Sequence, residues 1–212
     1  MLIFYHEIVG INVVLAYSHT ILQRIRKHNH GKGLSPKTGT IIIGIVNFVA
    51  TAGSIPVIAN FNRKTLLLWG HFFIFVFHML NGIFAIEGMD TWQLVMMNLF
   101  LVAYEFSSGT VCWIYIAEAV VDSALGLCVL CLFSTVFFLN LFVEFLIDLK
   151  GFGSAGVFMS MGVLSLTGCF LIQKYMKETR GLTDKQKKQL YFPKEDLQVG
   201  PEFSKLKNKE EY

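Results

Sequence analysis

Phe4-Tyr5-His6-Glu7-Ile8-Val9-Gly10-Ile11-Asn12-Val13-Val14-Leu15-Ala16-Tyr17-Ser18 is an apolar stretch interrupted by an imidazole, a carboxyl and an amide. The apolar run around it extends from about Leu2 to Leu22. A helix needs roughly 20 such residues to cross a bilayer, so the stretch reads as a membrane span. Ionisable and amide side chains are costly at membrane depth and face a bundle interior or a water-filled path. His6, Glu7 and Asn12 therefore mark a candidate polar site as well as a span. The run begins at the first residue, which gives the expectation of no soluble domain ahead of it. No signal peptide is expected either, because no charged region precedes the apolar run and the first Lys or Arg is Arg24.

The whole chain supports that reading. Hydrophobic residues make up 54% of its 212 residues and charged residues 16%, against about 25% charged in soluble domains. Five further apolar runs follow, at about Gly39 to Ala59, Thr65 to Ile86, Trp92 to Val121, Ala124 to Leu149 and Ser154 to Tyr175. The expected fold is an all-α membrane protein of six spans over residues 1–176, with a charged tail over 177–212. Such a tail is too polar to bury a core of its own. Both ends then lie on one side. Arg63, Lys64, Lys174, Lys177, Arg180, Lys185, Lys187 and Lys188 stand on that side, against Arg24, Arg26, Lys27, Lys32, Lys37 and Lys150 opposite. The balance puts the termini inside. A net charge of +3 that is scattered along the chain gives no footprint for nucleic acid.

Several polar residues carry two readings. Asn12, Asn47 and Asn140 are either ligands for a polyol or interhelical hydrogen bonds. His6 and Glu7 are either a proton relay or an interfacial pair. His71 and His78 fall on one face of the third span and read as polar contacts between helices. Glu144 and Asp148 read as an interfacial acidic end, and Trp69 and Trp92 as interface anchors. The basic loop from Arg24 to Lys37 reads either as a site for anionic lipid headgroups or as an ordinary solvated loop. Cys112, Cys128, Cys131 and Cys169 sit in apolar runs and pack as small hydrophobes. The Cys128-x-x-Cys131 spacing leaves a redox or metal pair as the alternative. No nucleophile–base pair, metal-ligand spacing or phosphate loop stands out, so no enzyme, metal or cofactor is expected.

Read in order, local patterns resemble the sugar porter family of the major facilitator superfamily, in its C-terminal six-helix half only. Gly10-Ile11-Asn12 with Tyr17-Ser18 resembles the Gln-Gln-x-x-Gly-Ile-Asn motif of the seventh helix. Asn47 sits like the asparagine of the eighth. Asn62-Arg63-Lys64 resembles the Gly-Arg-Arg turn. Glu105, Gly109 to Trp113 and Ala117-Glu118 resemble the tenth helix with its Trp and Ala-Glu, and Glu178-Thr179-Arg180-Gly181 resembles Glu-Thr-Lys-Gly. The resemblance implies a sugar site from Asn12, Asn47, Trp113 and Asn140, and gating positions at Arg63, Lys64, Glu105, Glu118, Glu178 and Arg180. It also implies alternating access by rocking of two six-helix halves.

The departures are specific. His6-Glu7 replaces the glutamine pair. Asn62 replaces the glycine of the turn, and Lys177 the proline before Glu178. Ser108, Thr110 and Cys112 stand where the family carries prolines, which predicts a straighter tenth helix. Leu125 stands near the place of the arginine that answers Glu118, so Glu118 is expected to lie at the interface, to be protonated or to pair elsewhere. These losses fall on gating parts. They favour a transport-incompetent accessory subunit, with other membrane protein subunits and lipids as partners, in an energy-transducing membrane such as the mitochondrial inner membrane. The alternative is hexose transport as a homodimer, or with a separately encoded N-terminal half, in the plasma membrane.

Overall fold

The computed structural model describes residues 1–28, 35–120 and 122–191. Its helices are α1 (Leu2–Ile8), α2 (Ile11–His28), α3 (Pro36–Asn60), α4 (Arg63–Ile86), α5 (Asp90–Tyr104), a π-helical turn (Glu105–Gly109), α6 (Thr110–Ala119), α7 (Asp122–Asp148), α8 (Gly153–Tyr175) and α9 (Asp184–Gln189). Five continuous segments are long and apolar enough to cross a membrane: 36–60, 63–86, 91–119, 124–148 and 153–175. The sixth expected span is α1 and α2 together, a broken helix rather than one rod.

The break has a local cause. Gly10 adopts φ +96°, a left-handed conformation costing an L side chain roughly 1–2 kcal/mol. The chain turns there, and the carbonyl of Val9 accepts a hydrogen bond from His78 Nε2–H at 2.8 Å. His78 lies on α4, is fully buried, and its ring sits between Phe100 and Phe158. An exposed peptide carbonyl inside a bilayer would cost several kcal/mol, so His78 lets the break exist at that depth.

Helix starts and packing follow from the residues. Ser35 caps α3, accepting a hydrogen bond from Thr38 N–H at 3.1 Å, with Pro36 at the first helical position. The α4–α8 pair has the broadest contact in the bundle. Small residues on α8 allow it: a Cβ at Gly168 would lie 2.8 Å from His71 Cδ2, and Ser165 Oγ donates to the His71 carbonyl at 2.8 Å. His71 and His78 thus lie between helices, as the sequence suggested. By contrast α3 and α7 leave large apolar side chains outside, among them Phe48, Ile55, Leu127, Phe137 and Phe145, a surface suited to lipid tails. Trp69 and Trp92 are also exposed, and all four cysteines are free thiols.

The segment after α8 is docked rather than loose. Thr183 and Gln186 form a capping box at the start of α9. Tyr191 Oη meets Tyr115 Oη on α6 at 2.5 Å and accepts from Lys177 N–H at 3.1 Å. A proline at 177 would lack that N–H. Residues 192–212 of the expected tail, and 29–34 of the basic loop, lie outside the described residues.

Gly10→Ala tests the break. A Cβ there would lie 2.4 Å from Met161 Sδ, whereas a Cβ at Gly44 meets nothing within 4 Å. In detergent, thermal unfolding followed by tryptophan fluorescence should show Gly10→Ala destabilised by about 1–3 kcal/mol. Gly44→Ala should be neutral or stabilised by roughly 0.5–1 kcal/mol.

Candidate functional site

The polar residues of the opening stretch converge on the π-turn. That turn forms without proline, and the segment runs on as one continuous helical span over residues 91–119. Thr110 Oγ1 donates to the Glu105 carbonyl at 3.1 Å and Ser107 Oγ to the Ala103 carbonyl at 2.6 Å. Hydroxyls that bond back to the preceding turn compete for its carbonyls. Single π-turns within α-helices often mark functional positions.

His6 and Glu7, near the end of α1, are 5% and 4% exposed. His6 Nδ1 lies 2.9 Å from the Ser108 carbonyl of the π-turn. A carbonyl only accepts, so Nδ1 carries the hydrogen. Tyr104 Oη lies 3.2 Å from Nδ1 and 3.1 Å from Nε2. Nε2 also lies 3.4 Å from Glu7 Oε1, and Asn12 Nδ2 donates to Glu7 Oε2. The Trp113 ring meets the His6 ring edge to face at 5.8 Å. His6, Glu7, Asn12 and Trp113 therefore form one cluster.

Asn47 lies on α3, and no side-chain contact joins it to that cluster among the described residues. Thr51 Oγ1, one turn on, donates to the Asn47 backbone carbonyl at 2.8 Å and lies beside the Glu105 carboxyl. Ser54 Oγ meets Thr110 Oγ1 at 2.9 Å. Asn140 stands apart on α7, where its carbonyl accepts from Tyr17 Oη at 3.0 Å. The side-chain oxygens of Asn47 and Asn140 are buried and make no hydrogen bond among the described residues. Trp113 is 41% exposed. A separate apolar cavity of ≈ 340 Å³ lies between α1, α7 and α8, walled by Phe4, Ile8, Phe142 and Met161 among others. None of the four sugar-site positions lines it.

Glu105 lies in the π-turn, while the other gating positions, Arg63, Lys64, Glu118, Glu178 and Arg180, gather at the other end of α6. Of the alternatives open for Glu118, pairing elsewhere is the one the structure shows. Lys187 Nζ lies 3.1 Å and Arg63 Nη2 3.5 Å from Glu118 Oε1. Thr179 Oγ1 donates to Glu118 Oε2 at 2.6 Å. The expected partner across the next turn is replaced by a lysine on α9, 69 residues away, too distant in sequence to be paired by spacing. The Lys187 ammonium is raised above the ordinary lysine range, chiefly by that bond to Glu118. A raised ammonium stabilises below its unfolded value and loses that effect only as pH rises through the folded one. The contact thus persists at neutral pH.

Glu178 closes the start of α4. Its carboxylate accepts from Arg63 N–H at 3.1 Å and Lys64 N–H at 3.0 Å, and also from the Thr179 and Arg180 amides. The first amides of a helix lack internal partners and attract negative charge. Lys64 Nζ donates to the Gln173 carbonyl at 2.9 Å, and Arg180 to the Asn60 carbonyl. Asn62 has φ −69°, which any residue adopts, so the missing glycine costs this turn nothing.

Residues 1–191 match a sequence model of the family described as "Sugar (and other) transporter". The chain belongs to that family. A glucose facilitated diffusion protein of Zymomonas mobilis is 26% identical over 195 residues, covering 84% of this chain and 38% of the relative. The probable metabolite transport protein CsbC of Bacillus subtilis is 29% identical, covering 84% and 39%. The facilitated trehalose transporter Tret1-1 of Drosophila simulans is 29% identical, covering 86% and 22%. Among solved structures, a double-tryptophan variant of XylE superposes with a TM-score of 0.81 at 22% identity, over 90% of this chain and 41% of that one. A D-xylose-proton symporter does so with a TM-score of 0.73 at 26% identity, over 86% and 43%. The chain spans about two fifths or less of the length of these relatives. Its fold is that of a six-helix half of a major facilitator bundle, and its relatives are membrane carriers rather than enzymes.

Replacing Glu178 by alanine should fray the start of α4 and release the docked segment. The expected loss is about 2 kcal/mol. Faster amide exchange at Arg63 and Lys64, and faster tryptic cleavage after Arg180, would report it.

Proposed function

We propose that the chain forms one wall of a membrane pathway for a small polyhydroxylated solute of hexose type, working with a complementary six-helix half. That half is either further sequence, a separate chain or a second copy. Asn47 and Asn140 supply amides, Asn12 a third polar contact, and Trp113 an aromatic face for the C–H surface of a sugar ring. The buried, unbonded side-chain oxygens of Asn47 and Asn140 carry the reading. Interhelical bonding would have satisfied them, and leaving such an acceptor unpaired costs roughly 1–3 kcal/mol. The contacts of Glu118 with Lys187 and Arg63 support it. Arg63, Lys64, Glu118, Glu178 and Arg180 would then tie one end of the bundle in one state and release it in the other, with Glu105 at the π-turn as the remaining gating position. A plasma membrane suits this activity.

A second reading rests on a different observation. Glu7 takes the Asn12 amide and His6 packs on Trp113, so two of the four sugar positions are engaged internally. That suits a transport-incompetent accessory subunit, held in a larger complex of an energy-transducing membrane by the apolar faces of α3 and α7. Uptake of labelled hexose by liposomes carrying the purified protein separates the two. The carrier reading expects uptake whose KM rises roughly 10-fold in Asn47→Ala or Trp113→Ala, as loss of one ligand contact of about 1.4 kcal/mol would give. Absence of uptake, with co-purification at fixed stoichiometry in a large assembly, would favour the subunit.

A further inference from the structure

A second cavity lies at the end of the bundle that carries the docked segment. Its volume is ≈ 390 Å³, and it is open rather than sealed. Leu2 and Ile3 of α1, Ile116 and Ala119 of α6 and Cys128 of α7 wall it. Tyr115, Tyr175 and Tyr191 add aromatic walls. The hydroxyls of Tyr115 and Tyr191 are used within the wall itself. Tyr115 Oη donates to the Lys177 carbonyl at 2.8 Å, and Tyr191 Oη meets Tyr115 Oη and accepts from Lys177 N–H. An occupant therefore meets mainly hydrocarbon and ring faces. Apolar space of this kind does not hold water, and left void it forfeits dispersion contacts along its lining.

The rim is cationic. Lys174 Nζ lies 5.1 Å from the centre of the Tyr175 ring, and Lys177 Nζ 5.3 Å from that of the Tyr191 ring. Lys177 Nζ also donates to the Leu190 carbonyl at 2.8 Å, and an ammonium has three hydrogens to give. Two carboxylates at this end are engaged elsewhere, Glu118 by Lys187 and Arg63 and Glu178 by four backbone amides. No carboxylate pairs with Lys174 or Lys177 among the described residues. Ala119 and Tyr175 end two of the membrane-spanning segments, so the cavity stands where hydrocarbon gives way to headgroups.

We propose that this cavity binds one anionic glycerophospholipid, with an acyl chain between α1, α6 and α7 and its phosphate at Lys174 and Lys177. The apolar interior selects an alkyl chain, and the charge of the rim selects a negative headgroup. The balance of Lys and Arg puts this end at the cytoplasmic leaflet, whose lipids supply that charge. A chain seated there touches α1, α6, α7 and Tyr191 together, and so clamps the docked segment against the bundle. The site does not depend on the carrier reading and serves a subunit equally well.

Native mass spectrometry of the full-length protein, released from detergent micelles, tests the site. The probes are phosphatidylglycerol, phosphatidylcholine with the same acyl chains, and oleate. One phosphatidylglycerol should be retained at least about tenfold more tightly than phosphatidylcholine, since each lysine near a membrane surface contributes roughly fivefold. Lys174→Gln and Lys177→Gln should each weaken phosphatidylglycerol by roughly that factor and leave phosphatidylcholine unchanged. Ala119→Trp and Cys128→Trp fill the cavity from two different helices, and each should abolish retention. Thermal unfolding in detergent identifies a filled variant that has not folded, and the lysine variants decide if both fail. Equal retention of the two phospholipids, lysine variants that bind like the unaltered protein, or retention by a folded filled variant would overturn the site. Oleate held more tightly than phosphatidylglycerol would overturn the phospholipid as its occupant.

Discussion

The hydrogen bond from His78 to the carbonyl of Val9 is the constraint on which the rest depends. A bilayer tolerates a broken helix only where each freed peptide group finds a partner. The partner here is an imidazole on another helix, held between two phenylalanine rings. That one contact fixes where α1 ends and how it meets α4. It thereby sets which way His6 and Glu7 face, because both lie within a turn of the break. On a continuous helix through Gly10, Asn12 would stand five residues from Glu7 and six from His6, off the face of either. The break instead lets Glu7 fold back onto Asn12 while His6 reaches the π-turn.

Bilayer thickness made most of the fold readable. Five spans are legible as uninterrupted apolar runs, since nothing shorter or more polar would cross. The break at Gly10 was hidden for the same reason. Val9 and Ile11 continue the apolar run on either side, and hydropathy is blind to backbone direction. The only local sign was a glycine between two β-branched residues. The π-turn was hidden differently: Ser107, Ser108 and Thr110 look compatible with a regular helix until their hydroxyls are seen to compete for its carbonyls. Glu118 shows the limit of spacing arguments. Its lysine lies in a polar segment that composition alone reads as unfolded, and only docking of α9 on α6 brings the two together.

The two ends of α6 solve opposite electrostatic problems. At Glu118, 17% exposed, the charge is kept, with a lysine, an arginine and a threonine hydroxyl around it. Such a partly exposed network is individually weak, and weakness suits an arrangement that must open and re-form. At Glu7 the site is buried and the available partners are an imidazole and an amide. Tyr104 Oη lies at hydrogen-bond distance from His6 as well, so the buried pair is held by neutral donors and acceptors.

Helix α1 links these features mechanically. It is seven residues long, shorter than an isolated helix needs to be stable in water, so its position is set by what grips it. His78 holds the chain at Val9, and the Ser108 carbonyl holds it at His6. The first grip is a neutral bond inside a packed core and has no reason to change. The second belongs to a titratable pair beside a loosened helical turn. The short rod is thus gripped near both ends of its buried face, and these two bonds together place Glu7 on Asn12 and His6 on Trp113.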